Sequence, residues 1–97
     1  MVFKRLDVDV ESRIVGDNKV YDVTLKKVSP LPVSYRVQME VGDLDLGTVK
    51  AGKLLFLKEM ELELDEGVPA DDTVKINVTS WGGLGLFLAN DEGTFEG

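Results

Sequence analysis

The chain has no cysteine and no histidine among its 97 residues, three prolines, and a single tryptophan. Without cysteine there are no disulfides, no thiolate nucleophile and no thiolate zinc site. Without histidine the commonest general base and metal ligand is gone. The four serines at 12, 29, 34 and 80 therefore have no imidazole to activate them, and none sits in a G-x-S-x-G elbow. Cation is also scarce, with 11 Lys and Arg against 18 Asp and Glu and a formal charge of -7. That balance opposes sequence-independent binding to nucleic acid or anionic lipid, which depends on Lys and Arg. No run approaches the roughly 20 apolar residues of a membrane-spanning helix, and the first residues lack the apolar stretch of a secretory leader. The expectation is a cytoplasmic protein, unless the sequence belongs to a longer chain.

What is present is alternation. Leu6-Asp7-Val8-Asp9-Val10-Glu11, Tyr35-Arg36-Val37-Gln38-Met39-Glu40 and Met60-Glu61-Leu62-Glu63-Leu64 each place apolar residues at every second position. Successive side chains of a strand point to opposite faces, so each run specifies one buried and one wet face. The pattern predicts strands over about 3–15, 20–28, 33–41, 53–64, 73–81 and 84–89, with a further short strand after Gly42-Asp43. A two-residue turn at Asp17-Asn18 would set Ile14 opposite Tyr21 and Val10 opposite Leu25, and Gly42-Asp43 would set Val41 opposite Leu44. Pro30 and Pro32 stop the ladder and suit a crossing between sheets. The competing assignment is an α+β fold with residues 52–65 helical, because Leu57, Met60 and Leu64 also fall at helical spacing.

Hairpins separated by crossings predict an all-β, seven-stranded antiparallel sandwich of the immunoglobulin or fibronectin-III type. Residues 1–90 form that single domain and 91–97 a polar tail. The stretch Val28-Ser29-Pro30-Leu31-Pro32-Val33-Ser34-Tyr35, followed by Asp45-Leu46-Gly47-Thr48-Val49-Lys50-Ala51-Gly52, resembles the middle of immunoglobulin-like accessory domains. It is similar to group-2 late-embryogenesis-abundant proteins, with Ser29-Pro30 in place of Asn-Pro, and to bacterial and archaeal surface-adhesion repeats. The resemblance implies a non-catalytic structural or interaction module and carries over no functional residues.

The segment after Ser80 is apolar on both strand faces. A two-residue turn at Gly82-Gly83 would pair Trp81 with Leu84, Thr79 with Leu86 and Asn77 with Leu88, leaving an apolar row outside the core. Trp81, Leu84, Leu86, Leu88 and, under the other parity, Phe87 are thus the expected interface for a protein partner or a second copy. The second functional reading uses acidic loops. Asp65, Glu66, Asp71, Asp72, Asp91 and Glu92 are oxygen donors of the kind that hold calcium, although none follows the EF-hand spacing. A third reading, a small hydrolase with two carboxylates, needs a cleft to desolvate its acid, which Glu59, Glu61 and Glu63 on a wet strand face do not offer. No resident cofactor is implied beyond possible calcium.

Overall fold

A computed structural model describes residues 5–28, 30–82 and 89–97. Seven strands run in chain order: β1 (Leu6–Val15), β2 (Asn18–Lys27), β3 (Val33–Val41), β4 (Leu44–Leu54), β5 (Glu59–Pro69), β6 (Val74–Gly82) and β7 (Asn90–Glu96). They form a three-stranded sheet in the order β1-β2-β5 and a four-stranded sheet in the order β4-β3-β6-β7, every pairing antiparallel. Inward residues of both sheets meet in one apolar cluster, so the molecule is a β-sandwich. Tyr21, Val23, Leu25 and Leu64 enter it from one sheet, and Val37, Met39, Ile76 and Val78 from the other. No helix occurs among the described residues, and none is long and apolar enough to cross a membrane. Residues 52–65 complete β4, turn at 55–58 and enter β5, so the helical assignment fails. The alternation of Met60, Leu62 and Leu64 with glutamates outweighs local helix propensity once one face can be buried.

Two hairpins use the same Gly-Asp dipeptide. Gly16 and Gly42 lie at φ 63° and 56°, a region that L side chains resist, so glycine belongs at that first turn position. Val41 faces Leu44 as the turn chemistry predicts. The other hairpin differs from expectation: the turn is Gly16-Asp17, which sets Val15 opposite Asn18, Val10 opposite Val23 and Ile14 opposite Lys19. That is a two-residue slip in partner, and because the side-chain period is also two, Leu6, Val8, Val10, Tyr21, Val23 and Leu25 keep their inward face. Ile14, expected inward with them, is instead 60% exposed beside the turn, and Val20 is buried where the register shifts between Lys19 and Tyr21.

The C-terminal assignments need larger correction. Residues 91–97 are not a tail, since Asn90–Glu96 forms the edge strand β7. Asn77 faces Thr94 and Thr79 faces Asp91, instead of Leu88 and Leu86. The Asn77 amide donates to Asp91 Oδ1 and Thr94 Oγ1, each at 3.0 Å, so outward polar groups match along this pair. Inward, Phe95 lies beside Ile76 in register and meets the Tyr21 ring edge-on at 6.0 Å. Residues 84–88 of the strand expected over 84–89 lie outside the described residues, and Ala89 precedes β7.

Candidate functional site

Strand directions sort the connections between two ends of a molecule 40 Å long and 24 by 21 Å across. One end carries Arg5, the β2–β3 connection at 28–32 and the β4–β5 connection at 55–58. The other carries the turns at 16–17, 42–43 and 70–73.

The first end is the most apolar exposed surface among the described residues. Stacked sheets lie about 10 Å apart, and only residues 55–58 span that gap from β4 to β5. Two hydrogen bonds from Lys27 secure the crossing: its amide donates to the Lys58 carbonyl at 2.7 Å, and its Nζ to the Leu55 carbonyl at 3.0 Å. The neighbouring connection is tied down by the Val28 amide, which donates to the Arg5 carbonyl at 2.9 Å. Leu54 ends its strand fully buried. A crossing this short cannot fold its next three side chains back into a filled core, so Leu55, Phe56 and Leu57 are displayed. Phe56 is 95% exposed, and Val28 and Leu31 on the adjacent connection are exposed too. Val28, Pro30, Leu55 and Phe56 line a depression of about 510 Å³ whose rim is Lys27 and Lys58.

Trp81 stands at the same end of β6, on the outer face of the four-stranded sheet and half-buried. The Arg36 guanidinium lies 4.9 Å from its ring centroid. Gly82, which follows Trp81, has no side chain to cover it, but a neighbouring strand supplies a cation over one ring face, which sequence spacing along β6 alone does not reveal. Leu84, Leu86, Phe87 and Leu88 lie outside the described residues.

The six acidic candidates are scattered. Asp65 and Glu66 lie on β5, Asp71 and Asp72 in the β5–β6 turn, and Asp91 and Glu92 on β7. Among the described residues no three acidic groups gather in a way that could hold a metal ion. Asp91 accepts from Asn77. Glu92 Oε1 accepts from the buried Ser80 hydroxyl and from the Arg5 amide. On the outer face of the three-stranded sheet, Glu11, Asp22, Glu61 and Glu63 border a shallow depression of about 420 Å³. Arg13 crosses it and donates to Asp22 at 2.9 Å and Glu63 at 3.0 Å, and hydrogen bonding to Asp22 with that charge holds the guanidinium pKa above its usual value.

The displayed apolar end was missed in sequence because Leu54-Leu55-Phe56-Leu57 reads as the start of a buried strand. One signal was available: four consecutive apolar residues cannot all face inward on an alternating strand. Comparison with protein-family models, curated proteins and solved structures finds no match for the chain.

Proposed function

We propose that the domain is a non-catalytic protein-interaction module that docks through its apolar end. The observation that carries this reading is Phe56, almost fully exposed between Leu55 and Leu57 and lining one depression with Val28 and Pro30. Contiguous exposed apolar groups with a polar rim are the signature of docking surfaces, and aromatic residues anchor them. Trp81, half-buried on the outer sheet face at the same end of β6, is a second aromatic group at this end of the molecule. The order of the two sheets also favours an immunoglobulin- or fibronectin-III-like domain, a scaffold that carries binding groups at its ends. Against catalysis stand the missing histidine and cysteine and the exposed setting of the carboxylates around Arg13.

A photo-crosslinking residue placed at 56 or 31, against a control at Glu61 on the outer sheet face, tests the reading in the host cell. Protein adducts at 56 and 31 but not at 61 are expected. Equal labelling at all three, or none at any, rejects the apolar end as a docking surface.

A further inference from the structure

We infer that the partner of the apolar end is the opposite end of a second copy of this chain, so that copies stack end to end along the long axis. The inference rests on the docking reading above and names its occupant.

Exposed apolar groups are not spread over this molecule. Among the described residues, the large hydrophobic side chains that stand exposed all occur at the two ends. Val28, Leu31 and Leu55 to Leu57 mark one end, and Ile14, Val15 and Leu44, the last 63% exposed, mark the other. Among the described residues the long sides of the sandwich show none. One lone apolar end would need an outside partner, whereas two apolar ends on one rod can cover each other.

Charge makes the two ends complementary. Around the first, Lys53 and Lys58 carry the cation together with Lys27, whose Nζ donates to the Leu55 carbonyl, and among the described residues no carboxylate forms an ion pair with these three. Lys26 is set apart from this group, because Asp7 and Glu59 flank it across the sheet. Of the two acids where β7 begins, Asp91 accepts from the Asn77 amide and Glu92 is turned to Ser80 and the Arg5 amide. At the second end Asp17, Asp43, Asp71 and Asp72 are all exposed. The cations there are Lys19, which donates to the Asp72 carbonyl, and Lys75, which lies between Glu40 and Glu96. A chain of net charge -7 repels its copies side by side, but presents lysine to aspartate when stacked.

Size sets the strength. A cross-section of 24 by 21 Å gives each partner roughly 400 Å² to bury, well under a standard stable interface. A single contact is therefore weak and gains force where copies are tethered or concentrated. The contact is heterologous, so it does not close on itself and extends into strings.

The test uses the whole chain in light scattering and sedimentation up to about millimolar concentration. Wild type is expected to gain mass with concentration, and to lose most of that gain as salt shortens the screening length. Two variants separate the ends: Phe56→Ser spoils the apolar end, and Asp71→Lys with Asp72→Lys spoils the acidic end. All three positions are exposed, so folding is not at stake. Each variant alone should stay monomeric, and a one-to-one mixture should reach the mass of two chains and stop, because it holds one intact end of each kind. Dimers of the Asp71→Lys, Asp72→Lys variant alone would mean that the apolar end pairs with itself, and overturn stacking. A wild type that stays monomeric while position 56 still crosslinks to other proteins overturns stacking and leaves the docking reading intact. Monomers with no crosslinks remove both. Binding to phosphatidylserine–phosphatidylcholine vesicles that Phe56→Ser abolishes, with mass unchanged throughout, assigns the end to a lipid surface and rejects the inference.

Discussion

Tyr35 lies directly across the β3–β4 ladder from Gly52, and a methyl group at residue 52 would come within 2.8 Å of its phenolic oxygen. The ring, only 6% exposed, covers the place where a side chain would stand. Glycine weakens a strand by roughly 0.5–1 kcal/mol relative to alanine, so Gly52→Ala would stabilise this one if the site had room. Overpacking of about 1–3 kcal/mol outweighs that gain. We expect Gly52→Ala to lower the denaturant midpoint. Tyr35→Phe removes the closest atom but leaves the ring carbon at 3.1 Å, so the double variant should recover part of the loss. A midpoint that rises in Gly52→Ala would mean that the ring moves aside freely.

Alkaline pH acts through the same tyrosine. Burial pushes the phenol pKa of both Tyr21 and Tyr35 up from the usual 10.0. Above the ordinary tyrosine pKa the folded state then holds more protons than the unfolded chain. By linkage, stability is full below about pH 10 and falls as pH rises toward the raised values. Urea unfolding from pH 8 to 11 should show that decline, and Tyr21→Phe with Tyr35→Phe should flatten it relative to wild type. A slope identical in wild type and the double variant would assign the alkaline loss to other groups, such as the lysines.

Leu54 and Leu55 are neighbours in sequence and opposites in energy. Leu54 is fully buried at the end of β4, while Leu55 is 42% exposed. Leu54→Ala removes core methyls and leaves a cavity, a loss of about 2–5 kcal/mol. Leu55→Ala should fall within roughly 0.5 kcal/mol of wild type while weakening the concentration-dependent gain in mass. Equal stability losses at both positions would contradict the strand boundary and the displayed loop together.

This pair also shows how far the fold could be read before the structure. Period-two alternation identified the inward sets of β3 and β6 and, away from the Gly16-Asp17 turn, those of β1 and β2, and the bounds of β3 match expectation residue for residue. Faces follow parity along a regular ladder, which is why the two-residue slip at Gly16-Asp17 left Val10, Val23 and Leu25 inward, whereas the register shift at Lys19/Tyr21 buries Val20 and Ile14 beside the turn is exposed. β7 was hidden because Asn90-Asp91-Glu92-Gly93-Thr94-Phe95-Glu96 offers Phe95 as its one large apolar residue, and its remaining signal is polar matching to Asn77 and Ser80 on another strand. The apolar end was hidden for a related reason. Whether four apolar residues continue a strand or cross between sheets depends on where the partner strand stops, a tertiary fact.

Trp81 reports on its own neighbour. With Arg36 over one ring face at 4.9 Å, Arg36→Ala should raise the access of acrylamide to the indole at little expense in stability, about 0.5–1 kcal/mol for a contact near the surface. If quenching is unchanged, the guanidinium does not shield the ring in solution.

Glu92 joins the two sheets at the β1–β7 edge, and its carboxylate supports the closing prediction. One oxygen, Oε1, accepts both the hydroxyl of the fully buried Ser80 and the Arg5 amide just ahead of β1, the latter at 3.1 Å. A charged acceptor strengthens both bonds, and the second ties the entry of the three-stranded sheet to the edge of the four-stranded one. Glu92→Ala strands two donors, one of them buried, and should cost about 1–3 kcal/mol. Ser80→Ala removes a donor together with its need for a partner, so its effect should be smaller. Glu92→Gln keeps an acceptor oxygen in place and should fall between wild type and Glu92→Ala. Amide hydrogen exchange provides the local readout, since the Arg5 amide loses protection in Glu92→Ala and keeps it in Ser80→Ala. Unchanged exchange at Arg5 in Glu92→Ala would show that other contacts hold β1 against β7.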